Sequence, residues 1–173
     1  MDVFEAIRRR SSVRSFTDID VSDEDVKKLI DAARRAPSAG NIQPWEFIVV
    51  RSSEVKRRLA AAALYQSFIE EAPVVIVICA DQRGSSRGYG SRGANLYCIQ
   101  DTAAATENML LAACALGLGA CWVGAFYEED VKSILKVPEG IRPVAIVPVG
   151  YPAEKPRPRY RRPLKEIIHR ETY

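Results

Sequence analysis

The sequence predicts an α/β or α+β sandwich around one central sheet. Three features carry that expectation. The run Pro73–Ala80 (PVVIVICA) is continuously apolar and β-branched, the pattern of a strand buried on both faces. Trp45–Arg51 (WEFIVVR) and Ile141–Tyr151 have the composition of further strands. Helical patterns lie between them, the longest from Cys98 to Leu116.

Taken in order, Val3, Phe4 and Ile7 have helical spacing and place a short helix before a run of arginines. The next helix has defined start signals: Ser22 as N-cap, Asp25 at the capping-box position, and Val21 stapled onto Val26. Its stripe of Val26, Leu29, Ile30 and Ala33 ends before Pro37. Glu54–Leu64 is expected to be helical, with a face that grades into alanine. Asp81–Leu96 is rich in Gly, Ser and Arg and is expected to be a long surface loop, of the kind that serves as a lid or faces a substrate.

Cys98–Leu116 is almost uncharged apart from Asp101 and Glu107, so it should be buried on most sides, with a subunit interface as one natural cover. Gly119–Phe126 is expected to be a strand, Glu128–Leu135 a short helix, and Pro138-Glu139-Gly140 a turn into the last strand. Prolines at 152, 156, 158 and 163 should keep the tail extended over the surface, with a helical turn or two over Leu164–Arg170. No internal repeat or second domain is visible, so residues 1–173 are expected to form a single domain, with 151–173 as its extended tail.

Hydrophobic content of 47% with 27% charged residues is that of a folded globular chain. The N-terminus lacks an apolar signal region and no run approaches the length of a membrane helix, so a cytoplasmic protein without membrane contact is expected. Cys79, Cys98, Cys114 and Cys121 form no CxxC pair and are expected to be reduced and buried, with no metal site. The one histidine, His169, lies near the C-terminus, which disfavours chemistry built on a positioned imidazole and points to a cofactor.

Nine of the 25 basic residues fall in two acid-free clusters, Arg8, Arg9, Arg10 and Arg14, and then Lys155, Arg157, Arg159, Arg161 and Arg162. The rest of the chain is net acidic. A general nucleic-acid binder spreads its basicity over a wide face, whereas two compact clusters suit one small polyanion such as a phosphate monoester. Arg10-Ser11-Ser12-Val13-Arg14 sets two guanidinium forks around hydroxyls, which matches phosphate oxygens; a solvated basic helix end is the competing interpretation. Pro37–Trp45 (PSAGNIQPW) offers amide donors and acceptors suited to a flavin edge, or it is a plain turn. Gly117-Leu118-Gly119 precedes a strand rather than following one, so it is a helix terminus and not a dinucleotide loop.

Five segments in order resemble the FMN-dependent nitroreductase family: RSSVRSF near the start, APSAGNIQPW, QDTAAATENMLLAA, GLGACWVGAF and VGYPAEKPRPR. The resemblance implies an α+β three-layer sandwich with a mostly antiparallel central sheet flanked by helices, and a C-terminal tail extending over a partner subunit. It also implies a homodimer with FMN at the subunit interface. Arg10, Ser11, Ser12 and Arg14 would hold phosphate and part of the flavin edge, with Arg159 and Arg161 completing the clamp and Arg8, Arg9, Arg157 and Arg162 left solvated. Pro37, Ser38, Ala39 and Asn41 would approach the flavin from the other subunit. Trp122, Val123, Gly124 and Ala125 would lie beside the ring, with a backbone amide near Gly124 directed at N5, and Gln66 is a candidate for the pyrimidine side.

The activity so implied is a ping-pong transfer of hydride from NAD(P)H through the flavin to a nitroaromatic, quinone or similar small acceptor, with no essential side-chain acid or base. Where larger members have an acidic residue, this chain has Gly124, and it lacks their extra helices. Two alternatives remain open on the sequence. One is a specialised relative of the same fold, either a flavin-fragmenting benzimidazole synthase or a reductive dehalogenase. The other is a basic-tailed module for nucleic acid or an anionic surface.

Overall fold

In a computed structural model of the chain, which describes residues 1–155 and 159–173, four strands form one sheet. They are β1 (Trp45–Val50), β2 (Val74–Asp81), β3 (Gly119–Ala120) and β4 (Ile141–Gly150), in the order β1-β2-β4-β3 with every neighbouring pair antiparallel. The helices are α1 (Val3–Arg9), α2 (Asp23–Ala33), α3 (Ser53–Ala62), α4 (Phe68–Glu71), α5 (Gln82–Arg92), α6 (Cys98–Ala115) and α7 (Glu128–Leu135). No helix among the described residues is long and apolar enough to cross a membrane.

Strand β2 divides the core. Val74, Ile76 and Ile78 face one apolar layer with Val26 and Leu29 of α2 and Ala105 and Met109 of α6. Val75, Val77 and Cys79 face a second layer with Leu59 of α3, Ile69 of α4 and Val131 of α7. The continuous apolar run in the sequence therefore has the expected cause, with helices covering both faces in a three-layer α+β sandwich.

Local signals agree with this packing. Ser22 Oγ accepts from the Asp25 backbone N–H at 3.0 Å and donates to Asp25 Oδ2 at 2.9 Å. The carboxylate thus grips the capping hydroxyl instead of reaching back to the Ser22 amide. Val21 and Val26 are both buried in the α2–α6 layer, as a staple requires.

Four expectations need correction. Asp81–Leu96 is mostly helical rather than a loop: α5, capped by the Asp81 carboxylate on the Gly84 amide at 2.9 Å, is broken by a kink at Tyr89 and Gly90, and a π-helical turn over Gly93–Tyr97 leads into α6. Its Gly and Ser content hid a helix whose glycine surface serves close packing, as Gly88 against Ile42 shows. The strand expected over Gly119–Phe126 stops at Ala120, because the next ladder position faces Pro148, which has no N–H to give; one bond from the Cys121 amide to the Pro148 carbonyl remains, at 3.3 Å. The backbone then returns for a single bridge, Val123 to Ile146. Helix α3 ends at Ala62, short of Leu64, since Leu64 and Tyr65 both take φ of 60°. In the tail, the helical turn covers only Leu164–Glu166.

Helix α6 ends in a Schellman turn. The Leu118 amide donates to the Ala113 carbonyl at 2.8 Å and the Gly117 amide to the Cys114 carbonyl at 3.1 Å, with Gly117 at φ +78°. An alanine there meets no neighbour but must adopt a left-handed backbone. Gly117→Ala should therefore lower unfolding free energy by about 1 kcal/mol in urea titration. An unchanged midpoint would show that this turn does not hold the α6 terminus.

Candidate functional site

The chain from Arg10 to Thr17 is sewn to the β3 side of the sheet. Ser12 bridges Ala120 in parallel, and the Val13 amide donates to the Ala120 carbonyl at 3.0 Å. Phe16 bridges Pro152, the Thr17 amide donates to the Tyr151 carbonyl at 2.9 Å, and the Arg14 amide donates to Glu154 Oε1 at 2.8 Å. Arg10 and Arg14 are thereby fixed on a backbone continuous with the sheet. Arg10 Nε lies 3.7 Å from Glu107 Oε1 of α6, and the Arg14 guanidinium lies over the Phe68 ring, 5.7 Å from its centroid. The Ser11 hydroxyl oxygen is buried with no hydrogen-bond partner. Arg14, the Ser12 side chain and Arg10 all lie near Cys121, so the basic groups gather just beyond the end of β3.

The same anchoring gathers a second group. Gln66, two residues before Phe68, donates from Nε2 to the Ala63 carbonyl at 2.8 Å and to the Ala125 carbonyl at 3.3 Å. This ties Gln66 to the irregular segment Trp122–Ala125. That segment is pinned at Val123 by two bonds with Ile146, of 2.9 and 3.0 Å. A side chain added at Gly124 would meet only Trp122 Nε1, at 3.9 Å, so this backbone faces open space. Trp122 itself is partly exposed. A cleft of about 40 Å³ beside Arg10, Ser11, Cys114 and Pro152 is far smaller than the roughly 300–1,000 Å³ usual for organic ligands.

Pro37, Ser38, Ala39 and Asn41 stand elsewhere. Ala39–Asn41 is a 3₁₀ turn whose Ala39 amide donates to both oxygens of Asp101, at 3.2 and 3.3 Å, in the first turn of α6. Arg10 and Ser11 meet α6 further along, at Glu107 and Leu110. Six to nine residues of helix separate those points, about 9–14 Å. Within one chain the two halves of the expected site are not brought together.

The tail is not joined to them either. Residues 159–173 are exposed, and the hydrogen bonds described for its arginines are local: Arg161 to the Tyr160 carbonyl at 3.2 Å and Arg162 to the Glu166 carbonyl at 2.8 Å. Arg157 lies outside the described residues. Arg8 is exposed, and Arg9 pairs with Glu5 at 3.0 Å on the surface.

Several partners of these residues were not legible in sequence. Glu107, Glu154 and Phe68 come together with the arginines only through tertiary folding. Asp101 did leave a signal, being a carboxylate on the same helical stripe as Cys98, Thr102, Ala105 and Met109, all buried.

With this geometry in place, comparison with known proteins gives the class. The nitroreductase family profile matches residues 7–66 and 60–151, and the chain belongs to that family. A Methanothermobacter thermautotrophicus protein with the provisional name NADH dehydrogenase/NAD(P)H nitroreductase is 39% identical, over 90% of this chain and 80% of its own. The FMN reductase (NADPH) of Bacillus subtilis is 29% identical over 99% of this chain and 74% of its own. Among solved structures, the NADPH:FMN oxidoreductase of Vibrio harveyi complexed with NAD⁺ superposes with a TM-score of 0.91 and 26% identity, covering 99% of this chain and 77% of that one.

Three of the four cysteines are poor nucleophiles. All four are free thiols; Cys79, Cys98 and Cys121 are buried, and burial raises the pKa of each, that of Cys79 to about 12. At Cys121 the nearby Arg14, the Ser12 side chain and Arg10 pull the other way without reversing the direction. No metal-binding cluster of His, Cys, Asp and Glu occurs among the described residues. Thiol titration of the folded protein at pH 8 should leave these three buried cysteines silent, with all four reacting after unfolding. Rapid modification of any of the three in the native protein would contradict the burial described here.

Proposed function

We propose that the chain is an NAD(P)H-dependent FMN oxidoreductase that reduces nitroaromatics, quinones or similar small acceptors. The observation that carries this is that Arg10, the Ser12 side chain and Arg14 lie near Cys121, where the chain enters the segment with open backbone at Gly124, while Arg14 rests on Phe68 and Gln66 bonds the Ala125 carbonyl. These residues fit a flavin mononucleotide. Arg10, Ser11, Ser12 and Arg14 would take the phosphate and the adjoining edge, since two guanidinium forks and a hydroxyl match its oxygens. Trp122, Val123 and Gly124 would flank the ring, and Gln66 would reach its pyrimidine edge. FMN, when bound, supplies the two-electron chemistry, accepting hydride from reduced nicotinamide and passing it to the acceptor.

The protein's part is positional and electrostatic. The sheet holds the 121–125 backbone through Pro148 and Ile146, so its amides keep fixed directions without reorganisation. The positive charge of Arg10 and Arg14 stabilises bound anions, and Glu107 and Glu154 limit how far these side chains and backbone can wander. A missing side chain at Gly124 leaves the face above it accessible to flat molecules. No side-chain acid or base is needed: His169 is exposed on the tail, stacked on Tyr173 at 4.3 Å.

The working unit in this reading is a homodimer. Val3, Phe4 and Ile7 point their apolar side chains outward from α1, at 58%, 69% and 54% exposure, while only Ala6 of that helix is buried. Leu164, Ile167 and Ile168 of the tail are equally uncovered. A second copy would cover these surfaces and bring Pro37, Ser38, Ala39 and Asn41 opposite the Arg10–Gly124 face, with Arg159 and Arg161 of the tail closing on the phosphate.

Three measurements test the proposal. The purified protein, or the protein after incubation with FMN, should show flavin absorption bands and oxidise NAD(P)H in the presence of a nitro or quinone acceptor; a colourless protein that takes up no FMN would sink the assignment. Arg14→Ala should weaken FMN binding by on the order of 1.5–3 kcal/mol, the cost of a lost charged hydrogen bond. Equal affinity in the variant would mean that the phosphate lies elsewhere. Sedimentation should find a dimer, and a monomer that retains FMN tightly would refute the shared pocket.

A further inference from the structure

We infer that Asp101 is the positioning residue of the 38–43 loop, fixing to α6 the segment that the proposed function assigns to one wall of the flavin pocket; the inference rests on that reading. Asp101 is only 9% exposed, on a face of α6 shared with Cys98, Thr102 and Ala105. A carboxylate in such a setting is costly unless it has donors. Those described for it are one group, the Ala39 amide, directed between both oxygens at 3.2 and 3.3 Å. Burial pushes its pKa above the ordinary carboxylate value, and the Ala39 bond opposes that. Packing alone would be served better by an apolar residue at this position.

The loop it holds is one that needs holding. Gly40, Asn41 and Gln43 all have positive φ, at 56°, 55° and 56°, a region that two of these residue types adopt at a cost. Its other hydrogen bonds are internal: the Gln43 amide to Ser38 Oγ at 3.0 Å, Gln43 Nε2 to the Asn41 carbonyl at 3.3 Å, and the Asn41 amide to the Ser38 carbonyl at 3.0 Å. These close the loop on itself but do not orient it in the molecule.

Orientation comes from two places. Asp101 provides the polar tether. The second is a reciprocal fit with α5: the Tyr89 hydroxyl lies 2.7 Å from where a side chain on Gly40 would begin, and Ile42 Cδ1 lies 2.7 Å from where one on Gly88 would begin. Tyr89 is itself braced edge-on against Tyr97, with ring centroids 5.3 Å apart. The apolar fit locates the loop, and the Asp101 bond sets the direction of its leading amide. Asp101 touches no substrate or cofactor in this account; it acts through Ala39.

Two substitutions separate the acceptor oxygen from the volume it occupies. Asp101→Asn keeps an oxygen for the Ala39 amide, whereas Asp101→Leu fills similar space with none. FMN affinity, read by quenching of flavin fluorescence, should stay within about threefold of wild type for Asn and fall by about tenfold or more for Leu. Faster amide exchange should be confined to residues 38–43. In the unsubstituted protein the Ala39 amide should be protected from exchange, a readout independent of whether either variant folds. Equal FMN affinity in the two variants, or an Ala39 amide exchanging at the rate of an open loop, would overturn the inference. A wild-type protein that binds no FMN while its Ala39 amide is protected would instead refute the functional reading and leave the tether standing.

Discussion

The constraint on which the structure depends is the burial of β2 on both faces. Each of its Val and Ile side chains contributes about 1.5–3 kcal/mol when removed from water, and the alternation of the strand divides them between two layers. One layer demands α2 and α6, the other α3, α4 and α7. Since β1 and β4 take both of its edges, β2 has no exposed backbone, and the edges left open are those of β1 and β3, the latter next to the arginine segment. At β3 the ladder is short because Pro148 interrupts it. The N-terminal segment pairs with Ala120 of β3, while Cys121 and Val123 continue the pairing with β4 by isolated bonds to Pro148 and Ile146.

Much of this was legible in the sequence because local and tertiary demands coincide. Pro73–Ala80 announced a doubly covered strand, Ser22 and Asp25 announced a helix start, and Gly117-Leu118 is the helix stop its composition suggested. Where the structure differs from the expectation, the causes lie in contacts outside the segment or in single backbone turns. In α5 the small residues admit Ile42, and one carboxylate cap on Asp81 suffices to start the helix. At Gly119–Phe126 the pattern was strand-like, but the limit came from Pro148 of another strand, which no local reading of that segment contains.

The site divides in the same way. Arg10, Ser11 and Arg14 carry a chemical signature in their spacing, and the fold sets the two arginines near Cys121, with Arg14 on Phe68, two residues from the Gln66 that bonds Ala125. What the sequence could not convey is their electrostatic setting. Arg10 faces Glu107, Arg14 rests on Phe68, and the Arg14 amide is held by Glu154 at the start of the tail. Glu154 anchors the N-terminal segment, whereas the hydrogen bonds described for Arg161 and Arg162 stay within the tail, whose residues 159–173 are exposed.

Helix α6 sets the separation between the Ala39 loop and the Arg10 segment. It meets the first through Asp101 in its first turn and the second through Glu107 further along, and under the proposed function it is a spacer between two half-sites. A rigid helix cannot shorten that separation, about 9–14 Å, and neither half can cross it without unravelling the hydrogen bonds that define it. Under the proposed reading, two antiparallel copies of such a spacer bring the first half of one protomer against the second half of the other. Cofactor retention then becomes a property of the interface. It also follows that α6 is under two demands at once: an apolar stripe to bury against β2 and carboxylates at fixed heights to hold each half-site. Its near absence of charge apart from Asp101 and Glu107 is what remains when both demands are met.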